Sequence, residues 1–299
     1  MNISTTEKNE TVCDFVDHHI APQEQKMSID GTNCHRGTQR LNTHLCRMSG
    51  VLLLLFSVSG CAQNQTLSPP PGGEEVSITV KVPPNLAAEP MRVMYRSEKC
   101  PIKRSGVDWS SYEEDGYLST TVQPQQQGQS DIYEAKLAIN GGTRCQWQLS
   151  NVTFGVTYAN TAHFGSHVKA GLGGGGVIVM FDERLPQRRS VFEPTRKVSG
   201  DLLIRKDYYP LVNEQFIGKY EKAVWLFGEG EIYSYYRAPN ARRVAFEPQL
   251  YADYVLYSVE PKVQNEGYRR DTYPDGSVTS DGRDPSFKRL QAIRLGRPQ

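Results

Sequence analysis

From Val76 onward the apolar residues of this chain recur at every second position, and that period limits what the chain can fold into. Val76, Ile78, Val80 and Val82 alternate with Ser77, Thr79 and Lys81, which puts four aliphatic side chains on one face of an extended strand. Pro83-Pro84 ends the run. Met91, Val93 and Tyr95 repeat the pattern on the way to Cys100, and Tyr133, Ala135, Leu137 and Ile139 repeat it up to Asn140-Gly141-Gly142. Those turn residues, with Cys145, Trp147 and Leu149 alternating beyond them, predict a β-hairpin. The apolar phase then shifts to Val152, Phe154, Val156 and Tyr158, so a bulge near Ser150 and Asn151 is expected to keep both halves facing the core.

Ile178 to Phe181 is continuously apolar and predicts a central strand. Further strands are predicted at 202–204, 223–227, 232–236, 244–246 and 254–259, with Gly228-Glu229-Gly230 closing a second tight hairpin whose tyrosines pair across it. Residues 101–130 and 271–284 read as polar loops, and 210–220 as a short helix. Asp284-Pro285 starts a last helix, Phe287, Leu290 and Ile293 supply its apolar stripe, and Gly296 with Pro298 stops it. The expected fold is mostly β: an antiparallel β-sandwich or two packed β-sheet units with a short C-terminal helix. If residues 76–299 hold two domains, the stretch 183–197, with Pro186, Pro194 and several arginines, is where they divide.

The chain before Val76 is of another kind. Residues 61–75 read as a flexible tether, with Pro69-Pro70-Pro71 stiffening its middle. Residues 1–47 carry no helix or strand pattern and read as an over-extended or disordered N-terminus; Met27 and Met48 are later candidate starts. Within 48–60, Val51 to Val58 form an apolar run broken only by Ser57, far short of the roughly 20 residues that span a bilayer. The run has the length of an export-signal core, with Arg47 as flanking charge. Its end, Val58-Ser59-Gly60-Cys61, resembles the lipobox of bacterial lipoproteins. That resemblance implies cleavage before Cys61 and acyl chains on Cys61. Ala62, standing where an aspartate would retain a lipoprotein in the inner membrane, implies the periplasmic face of the outer membrane.

On that reading Cys13, Cys34 and Cys46 are discarded and Cys61 takes lipid, which leaves Cys100 and Cys145. In an oxidising periplasm such a pair suggests one disulfide; the alternative is two unrelated buried thiols. Lys plus Arg (34) nearly balances Asp plus Glu (33), and no basic run stands out, so nucleic acid is not an expected partner.

Few motifs point to chemistry. Gly171-Leu172-Gly173-Gly174-Gly175-Gly176 satisfies G-x-G-x-x-G, but a strand follows it where a dinucleotide site needs a helix N-terminus. A loop carrying Gly171, Gly173 and Gly176 is instead a candidate partner-binding edge. His163 and His167, the two histidines beyond Cys61, are the other candidate binding residues. Gly165 between them argues against the single helix face that metal ligation at this spacing needs. Asp271, Asp275, Asp281 and Asp284 fail the EF-hand spacing. No catalytic residue, metal or cofactor is assigned. The expectation is a lipid-anchored, non-catalytic protein-binding module, with a weak resemblance to lipoproteins that neutralise toxic effectors in the periplasm. The alternative is an envelope-acting hydrolase on glycan or lipid.

Overall fold

A computed structural model describes residues 66–107, 109–171, 175–184, 195–230 and 232–297. Cys61, the 48–60 segment and Gly173 lie outside these residues. In chain order the elements are β1 (Glu75–Lys81), β2 (Leu86–Ala88), β3 (Met91–Ser105), β4 (Ser111–Val122), β5 (Gln125–Gln126), β6 (Ile132–Ala138), β7 (Asn140–Gly142) and β8 (Trp147–Tyr158). After a 3-10 turn at Ala162–Phe164 come β9 (Lys169–Ala170), β10 (Gly176–Met180), β11 (Arg196–Lys197), β12 (Leu202–Gln215), β13 (Glu221–Gly228) and β14 (Tyr233–Arg237). β15 (Arg243–Leu250), β16 (Leu256–Val259), β17 (Arg270–Thr272), β18 (Val278–Thr279) and helix α1 (Phe287–Arg294) complete the chain.

Two sheets form. One runs β18-β17-β16-β12-β15-β1-β6-β5, with β13 added to β12 and β9 to β13; the other runs β11-β14-β10-β8-β3-β4, with β2 and β7 on β8. Their facing sides make one core. The alternating aliphatics of β1 are fully buried there, as are Val93, Val152, Phe154, Val177 and Val179 from the opposite sheet. Phe154 meets Phe246 edge-on, ring centroids 6.1 Å apart, in the geometry aromatic pairs prefer. Both sheets mix strands from before 183 and after 197.

The mostly β fold, the packed sheets and the C-terminal helix are as expected, but the sheets are mixed rather than antiparallel. β1 runs parallel to β15, β12 to both β15 and β16, and β10 to β14. The cause lies at the two expected hairpins. The first expected hairpin forms only in its last residues: Asn140-Gly141-Gly142 is itself β7, antiparallel to β8, and the Leu149 N–H donates to the Ile139 carbonyl, whereas β6 before it pairs with β1 in the other sheet. Gly228-Glu229-Gly230 likewise separates β13, on β12, from β14, on β10. The chain passes from one sheet to the facing one at Ile139, between β6 and β7, and again between β13 and β14. Glycine and asparagine serve a corner between sheets as readily as a turn within one.

Three local readings also change. Residues 210–220 are not helical, because β12 runs through Pro210. The Tyr208 and Glu214 carbonyls accept from Tyr251 and Glu260 on the β15/β16 side, so even-numbered residues aim their backbone groups that way. Pro210 thus faces the gap between β15 and β16, where the missing N–H breaks no ladder bond. Residues 101–130 are not a loop, since β3 and β4 extend into it as a long hairpin. The 271–284 segment includes the short β17/β18 pair, and Asp271 is buried there, accepting from Ser258 Oγ at 2.7 Å.

The bulge falls at Ser150: Met94 opposes Asn151 while Tyr95 opposes Leu149, leaving Ser150 as the extra residue. Cys100 and Cys145 are disulfide-bonded with Cα atoms 5.3 Å apart, within the usual range. Helix α1 is capped by Ser286, whose side chain accepts from the Arg289 N–H. Its Phe287 and Leu290 close a second core with Tyr209, Leu256 and Tyr273 on the outer face of the first sheet.

Candidate functional site

The outer face of β13, β12 and β16 is only partly covered by α1, and the uncovered part is a groove. In β13, Val224 and Leu226 are buried in the sandwich core while Trp225 and Phe227 take the outward phase and are half-buried. Cross-strand pairing sets Trp225 beside Leu211, and Asn213 beside Ser258. These side chains floor a cavity of about 500 Å³ whose far wall is Arg269 and the start of α1, Asp284 to Phe287. A second hollow of about 310 Å³ shares Trp225 and Phe227 and adds Gly175, Tyr208 and Ile232. Together they flank the Trp225 indole at the place where β13 leaves for β14.

The polar lining is unevenly satisfied. Arg269 is committed on two nitrogens, Nε to Asp271 at 3.2 Å and Nη2 to Asp284 and the Arg283 carbonyl. Its Nη1, the Asn213 amide and the Glu260 carboxylate have no partner among the described residues. Tyr208 is buried beneath the second hollow, and its hydroxyl also lacks a described partner. Burial pushes that hydroxyl's pKa well up, with Tyr236 and Glu89 adding to the shift, so it stays a neutral phenol.

The described glycines of the run, Gly171, Gly175 and Gly176, lie beside this groove. A Cβ on Gly171 would stand 2.5, 2.6 and 2.9 Å from three adjoining atoms of the Trp225 indole, so the Gly171 backbone covers one ring face. Gly176 lies in the same way against the Tyr233 ring, and Gly175 lines the second hollow. Aromatic packing on bare backbone is what these positions require. His163 and His167 are both exposed, His163 against Phe164 with ring centroids 3.9 Å apart, and neither lines either hollow. No cluster of three metal-ligating side chains occurs among the described residues.

A second exposed feature lies at the other sheet's edge. β3 and β4 continue beyond it as a two-stranded arm, paired from Ile102–Glu114 to Ser105–Ser111. Near the arm's tip Val107 and Trp109 are 106% and 94% exposed, and the Gly106 N–H donates to the Ser110 carbonyl. Arg104 braces it, donating to Glu114 at 2.6 Å and lying 5.8 Å over Tyr117. The disulfide fixes its base: Cys100 sits in the register shift between Ser97 and Ile102, and its carbonyl presses on Gly116, where a Cβ would be 1.9 Å away. Arg184 bridges Glu98 and Asp115 beside it.

No family model, curated protein or solved structure matches the chain. Sequence reading misses Trp225, Asn213 and Glu260. The one signal for the groove is Trp225 and Phe227 on the outward phase of β13, where polar residues are the rule for a solvated sheet face.

Proposed function

We propose that this chain is an envelope lipoprotein, held at the periplasmic face of the outer membrane through Cys61, that binds a protein partner with its β3–β4 arm. The observation carrying the binding part is the arm itself. A tryptophan and a valine stand fully exposed at its tip, and exposed aromatics in a rigid frame are typical binding anchors. Among the described residues β4 is also the last strand of its sheet, 12 residues long, which leaves a row of backbone groups open for strand addition. The disulfide and the Arg184 bridge hold the arm in one orientation, which lowers the ordering cost of binding. Neutralising a toxic effector is one task such an arm would suit.

The anchor draws its support from the lipobox resemblance and from where the sheet starts. β1 begins at Glu75, shortly after Cys61. The hydrolase alternative would draw on His163, His167 or the 271–284 loop; neither histidine lines the two hollows, whereas Asp284 of that loop does line the larger one, bonded to Arg269 Nη2. A photo-crosslinking residue in place of Trp109, used in envelopes of the producing cell, tests the reading. It should give an adduct with one discrete protein, and the same group at Tyr268, also exposed, should not. No adduct, or the same adducts from both positions, would overturn the arm's role. Cys61→Ser should release the protein from membranes or block its processing; unchanged fractionation would overturn the anchor.

A further inference from the structure

We infer that the Trp225 groove is a binding site for a neutral oligosaccharide, independent of the arm. Three observations converge on that chemistry. The first is the platform: one face of the Trp225 indole is covered by the Gly171 backbone, and the side chain lines both hollows, with Leu211 and Phe227 beside it. A flat, rigidly backed indole matches the C–H face of a pyranose ring, an amphipathic ligand with an apolar face and a polar rim. The second is the set of polar groups in the same cavity that have no partner among the described residues. The Asn213 amide offers donor and acceptor, Glu260 accepts, and Arg269 Nη1 donates. Such a mixed set fits ring hydroxyls, which both donate and accept. The cavity volume of about 500 Å³ is within the range of small-ligand sites.

The third observation concerns what the floor offers. β12, at its middle, is paired on both sides by β13 and by β15 and β16, so a ligand lying over it meets side chains, while Gly228 and Gly230 add backbone groups at the rim. Charge narrows the class further. Asp271 and Asp284 hold the Arg269 guanidinium and Glu260 lines the same cavity, so an anionic sugar or a phosphate meets net repulsion. A neutral hexose or N-acetylhexosamine oligomer does not.

The test titrates the full-length protein with cellotetraose, maltotetraose and chitotetraose, followed by calorimetry and by saturation-transfer NMR. At least one of the three should bind. Trp225→Ala should weaken it at least about tenfold, and Asn213→Ala or Glu260→Gln a few-fold each, about 3 to 10 times. Gly171→Ala should also weaken it, because the added methyl displaces the indole without touching the ligand. Circular dichroism and thermal melting of each variant check folding, and the two polar variants carry the test should Trp225→Ala misfold. Loss of binding at the polar positions with melting unchanged supports the site. The inference fails if none of the three sugars binds at millimolar concentration, or if binding survives Trp225→Ala. It fails equally if an acidic oligosaccharide binds more tightly, or if an unrelated peptide or fatty acid occupies the groove in its place. Arm variants such as Trp109→Ala should leave sugar binding unchanged, which keeps this result separate from the fate of the arm.

Discussion

The Leu67 side chain lies directly over Gly141: a Cβ on Gly141 would stand 2.6 Å from Leu67 Cδ2. Next to it, the Ser68 N–H donates to the Gly141 carbonyl at 2.8 Å, and Ser68 bridges Gly142. The chain ahead of β1 is therefore clasped to the β7 corner at Leu67 and Ser68, with Leu67 packed against the main core. If Cys61 carries lipid, only the residues between it and Leu67 separate that corner from the bilayer, a reach of at most about 20 Å.

Leu67→Ala should open this clasp. The side chain is half-buried, so the expected loss of stability is modest, about 1 to 2 kcal/mol. The clearer readout is limited proteolysis, which should cut the variant between residues 61 and 74 much faster than the wild type while the sandwich stays intact. Equal cutting rates would show that the clasp contributes nothing.

The disulfide closes a chain separation of 45 residues. In the loop-entropy account a bridge of that span stabilises by about 4 kcal/mol. Denaturant unfolding of the Cys100→Ser, Cys145→Ser double variant should therefore show a loss of about 2 to 5 kcal/mol, and adding reductant to the wild type should approach the same curve. Ser97 Oγ, which donates to the Cys145 carbonyl and accepts from the Lys99 and Cys100 amides, keeps part of the arm's base in place, so the arm should loosen rather than detach.

Glu89 gives a pH test. Burial holds its carboxyl above the usual carboxylate range, partly offset by Arg92. A carboxyl whose pKa is raised in the folded state contributes its stability at acid pH and loses it as pH climbs through the raised value. Glu89→Gln should thus melt higher than the wild type at pH 7, and the gap should close below about pH 4, where unfolded glutamate is also protonated. Calorimetric scans across that interval check it, and a gap independent of pH would mean that Glu89 does not titrate as described.

What was legible in the sequence is what depends on a few neighbouring residues. The three aliphatics of β1, the apolar run of β10, the bulge at Ser150 and the Phe287–Leu290–Ile293 stripe each write a period into the chain. The sheet to which a strand belongs leaves no such mark. Asn140 to Gly142 and Gly228 to Gly230 have hairpin chemistry, yet the chain crosses between layers just before the first and through the second. The arm was hidden because both of its faces meet water, so its strands do not alternate. The groove was hidden for a third reason. Trp225 becomes distinctive only once α1 has docked over Tyr209 and Leu256 and stopped short of it.

That docking supplies the last prediction. Tyr209 on β12 accepts from Arg294 Nε on α1 at 2.9 Å, stacks on Tyr251 and meets Phe287 edge-on. These contacts belong to the outer core, which shares none of its buried residues with the core between the sheets. Substitutions in the two cores should therefore fail differently. Ile78→Ala, at a fully buried position in the middle of a sheet, should cost about 2 to 5 kcal/mol of global stability and speed hydrogen exchange throughout the sandwich. Leu290→Ala, equally buried but on a helix of 8 residues, should release α1 locally, because so short a helix is not stable without its packing. Exchange should then rise in residues 286–296 and at β17, while β1 and β10 keep their protection. Since α1 forms one wall of the groove, the same variant should also weaken any ligand held at Trp225. Uniform loss of protection in both variants would instead make the two cores one cooperative unit.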